Sequence, residues 1–464
     1  MGFTTVSFLF YFLPITLFLY GLARWSNKEY LQNSILLIMS CVFYAWCGIQ
    51  YLLLAIVMTT ITYFCTVRRS KKWMVIAIVL NILILIFFKY FNFFIINIEN
   101  IIQIFNKNFQ ISVPKIPLPL GISFIVFQLI AFTVDIYKGE KIEGGYFGTL
   151  LYMLFFPQLV QGPIVRYREM APTLSGRTIG IEGLEKGIRR FICGFAKKVL
   201  IADNLVPMSD QIFSMSAIGI PMGYAWLGML CYALVIYYDF SGYSDMAIGL
   251  CEMFGFHISE NFNYPYISKT IQEFWRRWHI SLSSWFRDYV YIPLGGNRCG
   301  EIITYRNLII VFLLTGLWHG ASWTFVIWGV FHGVFQLLER NGLKKILNKL
   351  PESVSHIYCL LVVGIGWVFF RSDTLQNAYR YIKSMFVPCA ITNYYKIDVL
   401  SKMDSVFWLV LIVGMLFTMP LSKKMKKFIE SHEKLSNIVY ILVFLLAIAE
   451  MLGSGFSPSI YTKF

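Results

Sequence analysis

Two of the six histidines in this 464-residue chain sit in a place where an ionisable group is costly. The stretch RNLIIVFLLTGLWHGASWTFVIWGVFHG (residues 306–333) holds His319 and His332. From Leu308 to Phe335 only Thr315, Ser322, Thr324, those two rings and some glycines interrupt an apolar run. A titratable side chain at that depth marks a functional site by default. Imidazole titrates near neutral and tolerates apolar surroundings, so the matching chemistry is general-base catalysis. Gly316 and Gly320 flank His319 and leave room for a substrate or another helix to approach. The plainer alternative is a neutral ring bonded to a neighbouring helix. It weighs more for His332, which on a continuous helix would face elsewhere.

A second constellation is TIQEFWRRWHISLSSWFRDYVYIPLGGNR (270–298). At 100° per residue, Ile271, Phe274, Trp275, Trp278, Leu282, Trp285, Phe286 and Tyr289 form one apolar stripe. Glu273, Arg276, Arg277, Ser284 and Arg287 lie opposite, and His279 sits at the edge of the stripe. The pattern predicts one continuous interfacial helix ended by Pro293 and Gly295-Gly296. Arg276, Arg277, Arg287 and Arg298 either hold anionic lipid or grip the phosphates of a nucleotide-containing acyl donor.

Two more segments carry polar groups. In YYDFSGYSDMAIGLCEMFGF (237–256), Asp239, Ser241, Tyr243, Ser244 and Asp245 either line a cavity or form a polar turn outside the bilayer. In FFPQLVQGPIVRYREM (155–170), Pro157, Gly162 and Pro163 break the helix around Gln158 and Gln161, as in a re-entrant segment or a kinked helix. There is no H-E-x-x-H, no G-x-S-x-G and no Walker A sequence. No metal site is expected. Acyl transfer from a thioester to a hydroxyl needs little beyond a base, because the thiol leaves readily.

The elements that must position these groups are membrane spans. Hydrophobic residues make up 57% of the chain and charged residues 14%, against about 45–50% and about 25% in soluble domains. Spanning-length apolar runs lie near 3–23, 31–48, 50–66, 73–97, 117–137, 222–240, 306–319, 321–338, 357–370, 406–421 and 436–453. The expectation is an all-α polytopic fold of about 11 spans with re-entrant or interfacial helices, at about 20 residues per span. The formal charge of +15 belongs to basic loops facing anionic lipid rather than to nucleic-acid binding. Basic residues after the first and third spans place the N-terminus outside. The nine cysteines, Cys389 among them, show neither a disulfide framework nor a zinc pattern. Three zones result: N-terminal spans (1–138), a Gly-, Pro-, His-, Trp- and Arg-rich core (139–340) and C-terminal spans (341–464). A transporter or flippase with a path through His319, Asp239 and Asp245 is the rival reading. The lack of a visible internal repeat weighs against it.

Five stretches in order, FFPQLVQGPI (155–164), DFSGYSDMAIG (239–249), ENFNYPY (260–266), QEFWRRWHISLSSWFRDYVYIPLGGNR (272–298) and LLTGLWHGASWTFVIWGVFHG (313–333), resemble the membrane-bound O-acyltransferase family. Within it they look most like the bacterial membrane subunits that O-acetylate alginate and peptidoglycan. D-alanyl transferases of teichoic acid synthesis form a sister branch. The resemblance implies that His319 is the catalytic histidine and His279 a second active-site histidine, set where cytosolic and external funnels meet at a thin centre. Trp318, Gly320, Trp278, Asp245, Asp239, Gln158, Gln161, Arg276 and Arg277 are the cavity candidates. It further implies an acyl-thioester donor, most simply acetyl-CoA, with no tightly bound cofactor. The implied setting is the cytoplasmic membrane, with a polysaccharide acceptor and a separate extracytoplasmic acetyltransferase that finishes the transfer.

Overall fold

The computed structural model describes residues 1–26, 28–114, 116–177, 180–217, 219–388 and 399–454. Cys389 lies outside them. Among the described residues the regular elements are all helices. Six are long and apolar enough to cross a membrane: Phe8–Trp25, Ile49–Val67, Lys71–Phe105, Glu301–His319, Glu352–Arg371 and Glu433–Gly453. Of the other expected runs, 222–240 lies within the 32-residue helix Met222–Met253, and the rest form shorter helices. Ile122–Tyr137 begins only after Gly121 turns in the left-handed region at φ 73°, and Ser405–Leu416 stops five residues before the apolar run does.

The chain divides into two compact units. The first contains Met1–Ile188, Ala247–Ser259 and Gly320–Ser322. Its core includes a knot of Phe8, Phe12, Phe43 and Phe156, with ring centroids 5.2–6.2 Å apart. Such aromatic pairs add about 0.5–1.5 kcal/mol beyond their area burial. The first unit also contains the 35-residue Lys71–Phe105, within which an 18-residue stretch has a mean hydropathy of 2.5 and is only 17% buried. A wide π-type turn over Ile86–Tyr90 interrupts it. Beyond that turn Asn92, Asn97, Glu99, Asn100 and Gln103 enter an otherwise apolar sequence.

The second unit contains Arg189–Met246, Glu260–His319 and the described residues from Trp323 on. Its Glu301–His319 and Trp323–Leu338 helices pack as a hairpin. Glycine makes this contact possible. A Cβ on Gly316 would lie 2.3 Å from the Phe325 carbonyl oxygen, and one on Gly329 would lie 2.3 Å from that of Phe312. The backbones therefore touch without side chains between them, as small residues allow in membrane bundles. The hairpin matches the two separate apolar runs read over 306–319 and 321–338. Chain direction reverses after His319, and His332 lies on the returning arm.

Candidate active site

The interfacial helix read over 270–298 is not continuous. Ile271–Arg277 ends at Trp278, in extended conformation (φ −100°, ψ 129°), and Ile280–Phe286 starts after His279. His279 itself is left-handed, at φ 43° and ψ 55°, a conformation that costs an L-residue roughly 1–2 kcal/mol. The wheel failed because the apolar spacing runs unbroken across the turn: Phe274, Trp275 and Trp278 bury before it, and Leu282, Trp285 and Phe286 after it. The first of these helices is held at its start. Thr270 Oγ1 accepts from the Glu273 N–H at 3.0 Å. The Glu339 carboxylate accepts from the Ile271 and Gln272 N–H groups at 2.5 and 3.0 Å. Burial raises the Glu339 carboxyl pKa against the pull of those two N–H groups.

Two backbone bonds fasten the turn to the ENFNYPY segment. The Ile280 N–H donates to the Asn261 carbonyl, and the Asn263 N–H donates to the Arg277 carbonyl, both at 2.9 Å. The Asn261 side chain joins them. Its Oδ1 lies 3.2 Å from His279 Nδ1, 3.2 Å from the Ser281 nitrogen and 2.9 Å from Ser281 Oγ. Its Nδ2 donates to Ser244 Oγ at 3.0 Å.

The turn brings His279 beside His319. Their ring centroids are 6.5 Å apart, and Trp318 lies 5.9 Å from the first ring and 5.0 Å from the second. Both rings are buried. Phe240 meets His279 edge-on at 4.6 Å, while Trp328 and Phe370 do the same to His319 at 5.1 Å. Trp278 points into the aromatic core, stacked on Phe274 at 5.5 Å and tilted against Trp367 at 4.8 Å.

In the polar segment 237–256 the residues up to Met253 lie inside one 32-residue helix, Met222–Met253, with Asp239, Ser241, Ser244 and Asp245 buried. The carboxylates are matched by cations. Lys198 Nζ is 2.8 Å from Asp239 and 2.5 Å from Asp203. Asp245 takes Lys197 at 2.5 Å and Arg190 at 2.6 Å. These ion pairs tie the Met222–Met253 helix to Arg190, Lys197 and Lys198.

Arg277 turns back to Glu273 (3.0 Å) and the Asn263 carbonyl (3.1 Å), while Arg276, Arg287 and Arg298 are exposed. Gly320 follows His319 as a buried turn residue. In the first unit, Gln158 and Gln161 occupy a non-helical stretch between Gly145–Leu154 and Tyr167–Leu174. Gln158 Nε2 donates to the Tyr152 carbonyl. Both Gln161 amide atoms are buried without a protein hydrogen-bond partner among the described residues. Ser244 was among the polar groups read in 237–256, but Asn261 and Ser281 were not singled out by sequence. The signal was an asparagine in an aromatic segment, N-F-N-Y-P-Y, whose meaning depends on a contact 18 residues away.

Residues 144–346 match the model of the membrane-bound O-acyltransferase family. The chain is 43% identical to "Probable alginate O-acetylase AlgI" of Azotobacter vinelandii, over 83% of this chain and 78% of that protein. It is 35% identical to the peptidoglycan O-acetyltransferase of Helicobacter pylori, over 82% and 79%. The likeness to the teichoic acid D-alanyltransferase of Bacillus subtilis is 33% over only 46% of this chain and 57% of that protein.

Proposed function

The chain belongs to the membrane-bound O-acyltransferase family, a multi-pass membrane enzyme, and from that premise we propose that it moves an acetyl group from a cytosolic thioester toward O-acetylation of a cell-surface or secreted polysaccharide. The observation that carries the reading is the buried pair His279 and His319, 6.5 Å apart within aromatic walls. Relatives named for alginate and peptidoglycan O-acetylation over most of the chain support the acetyl group and the polysaccharide acceptor. The much shorter likeness to D-alanyltransferases favours acetyl over D-alanyl.

In this reading the catalytic zone is 139–340 and the donor is acetyl-CoA. His319 takes the proton of an incoming hydroxyl as its oxygen attacks the thioester carbonyl. The carbon–sulfur bond breaks, the thiolate leaves, and the proton passes from His319 to that sulfur. His279 orients one reactant. Trp318 and Gly320 border the reacting groups, and Trp278 backs the turn that carries His279. Asp239 and Asp245 hold the Met222–Met253 helix, and the exposed Arg276 faces the donor's phosphates, while Arg277 braces the turn through Glu273 and the Asn263 carbonyl. The acceptor hydroxyl belongs to a separate extracytoplasmic acetyltransferase that completes delivery to the polymer.

The test is His319→Ala in the native host, with O-acetyl groups on the surface polymer measured at matched protein level. Loss of acetylation is the expected result. Unchanged acetylation removes His319 from the mechanism.

A further inference from the structure

We propose that Asn261 is a positioning residue that locks His279 in the tautomer protonated at Nδ1, so that Nε2 presents a lone pair to the reacting groups. The inference rests on the reading of His279 as an active-site residue and narrows what that residue does.

The argument starts from the one donor whose identity is fixed. A backbone N–H only donates, so the Asn261 atom 3.2 Å from the Ser281 nitrogen is the amide oxygen. That assignment also suits the other end of the amide, where Nδ2 donates to Ser244 Oγ at 3.0 Å. The same oxygen is 3.2 Å from His279 Nδ1. An oxygen without a proton can only accept, so Nδ1 must carry the hydrogen. Ser281 Oγ, 3.5 Å from Nδ1 but 2.9 Å from the Asn261 oxygen, gives its own proton to the shorter contact. A neutral imidazole has one N–H, which leaves Nε2 bare. Nε2 is buried and has no hydrogen-bond partner among the described protein groups.

The lock is also mechanical. Asn261 holds the His279 ring through its side chain and the adjoining Ile280 N–H through its carbonyl. It thereby keeps a strained left-handed residue in one orientation.

The consequence for the reaction is a choice between two roles. A bare Nε2 cannot donate a hydrogen bond to a thioester carbonyl. It can accept one from the hydroxyl nucleophile, aligning that oxygen for deprotonation. His279 thus handles the acceptor, not the acyl donor.

The test uses the full chain in lipid nanodiscs with ¹⁵N-labelled histidine, the His279 signals being identified by their loss in His279→Ala. The expected spectrum has Nδ1 protonated and Nε2 bare. Asn261→Asp keeps this tautomer, because a carboxylate oxygen accepts from both Nδ1 and the Ser281 N–H while the Ser244 hydroxyl turns to donate. Asn261→Leu loses the single tautomer and lowers kcat on the order of 10²-fold with KM little changed. A wild-type signal protonated at Nε2 overturns the proposal even if Asn261→Leu does not fold. So does an Asn261→Leu protein that keeps both the tautomer and kcat. Should His279→Ala retain full transfer, the assignment of His279 to the active site fails, while the spectrum still reports whether Asn261 sets the tautomer.

Discussion

His279 and His332 are both fully buried and both meet aromatic rings edge-on, yet their surroundings differ in kind. Around His279 an amide and two backbone bonds converge from a segment 18 residues away, and the neighbouring Ser281 hydroxyl joins them. Around His332 stand Trp275 at 5.3 Å, Trp328 at 5.1 Å and Phe331 at 5.6 Å. Neither of its ring nitrogens has a hydrogen-bond partner among the described residues, and its Nε2 abuts Gly366, where a Cβ would come within 2.7 Å. A histidine held by polar groups has one usable face and one orientation. Packed among rings with neither nitrogen partnered among the described residues, His332 serves as a packing unit.

The sharpest way to break that comparison is to remove each ring in turn. His279→Ala should lower acetyl transfer by on the order of 10²-fold or more, read as O-acetyl content at equal protein level. His332→Leu should leave transfer within about threefold and the melting temperature unchanged or raised. It deletes two unsatisfied polar atoms along with the ring, an exchange that can be neutral or stabilising. Comparable losses in the two variants would erase the distinction.

The next test strikes the helix that carries Phe240 and Ser244 to the His279 side. Lys198→Met leaves Asp239 and Asp203 without their shared cation, and breaking a buried pair costs about 3–5 kcal/mol. Detergent-solubilised protein should show a much lower melting temperature or fail to accumulate. On the His332 side, Gly329→Ala forces a methyl against the Phe312 carbonyl oxygen. Overpacking of this kind costs about 1–3 kcal/mol, visible as a smaller drop in the same assay. Smallest is Glu339→Gln, which keeps the size of the group but weakens its bonds to the Ile271 and Gln272 N–H groups. Charged acceptors exceed neutral ones by about 1 kcal/mol, so a shift of a few degrees is expected and transfer should fall little.

Much of this was legible in the sequence. The spans follow from apolar run length, and His319 stands out because an imidazole is rare at that depth. The WRRWH segment drew attention to His279 through its composition. What the sequence hid were the long-range partners. The wheel could not see the break at Trp278–His279, since both short helices bury the same stripe and no glycine or proline marks the turn. Asp239 and Asp245 stood between a cavity and an external loop, because the deciding cations, Lys197, Lys198 and Arg190, lie some 40–55 residues upstream. The arginine-rich face of 270–298 split into an internal brace, Arg277, and exposed groups, a division that periodicity does not encode.

The long helix Lys71–Phe105 carries one more consequence. At 1.5 Å per residue its 35 residues extend about 52 Å, well over the roughly 30 Å of hydrocarbon available. The stretch beyond Ile86–Tyr90, where the polar residues begin, therefore leans over or climbs out among the headgroups. Hydrophobic mismatch at this flank would then couple turnover to acyl-chain length, so vesicles of short-chain and long-chain phosphatidylcholine should support measurably different rates.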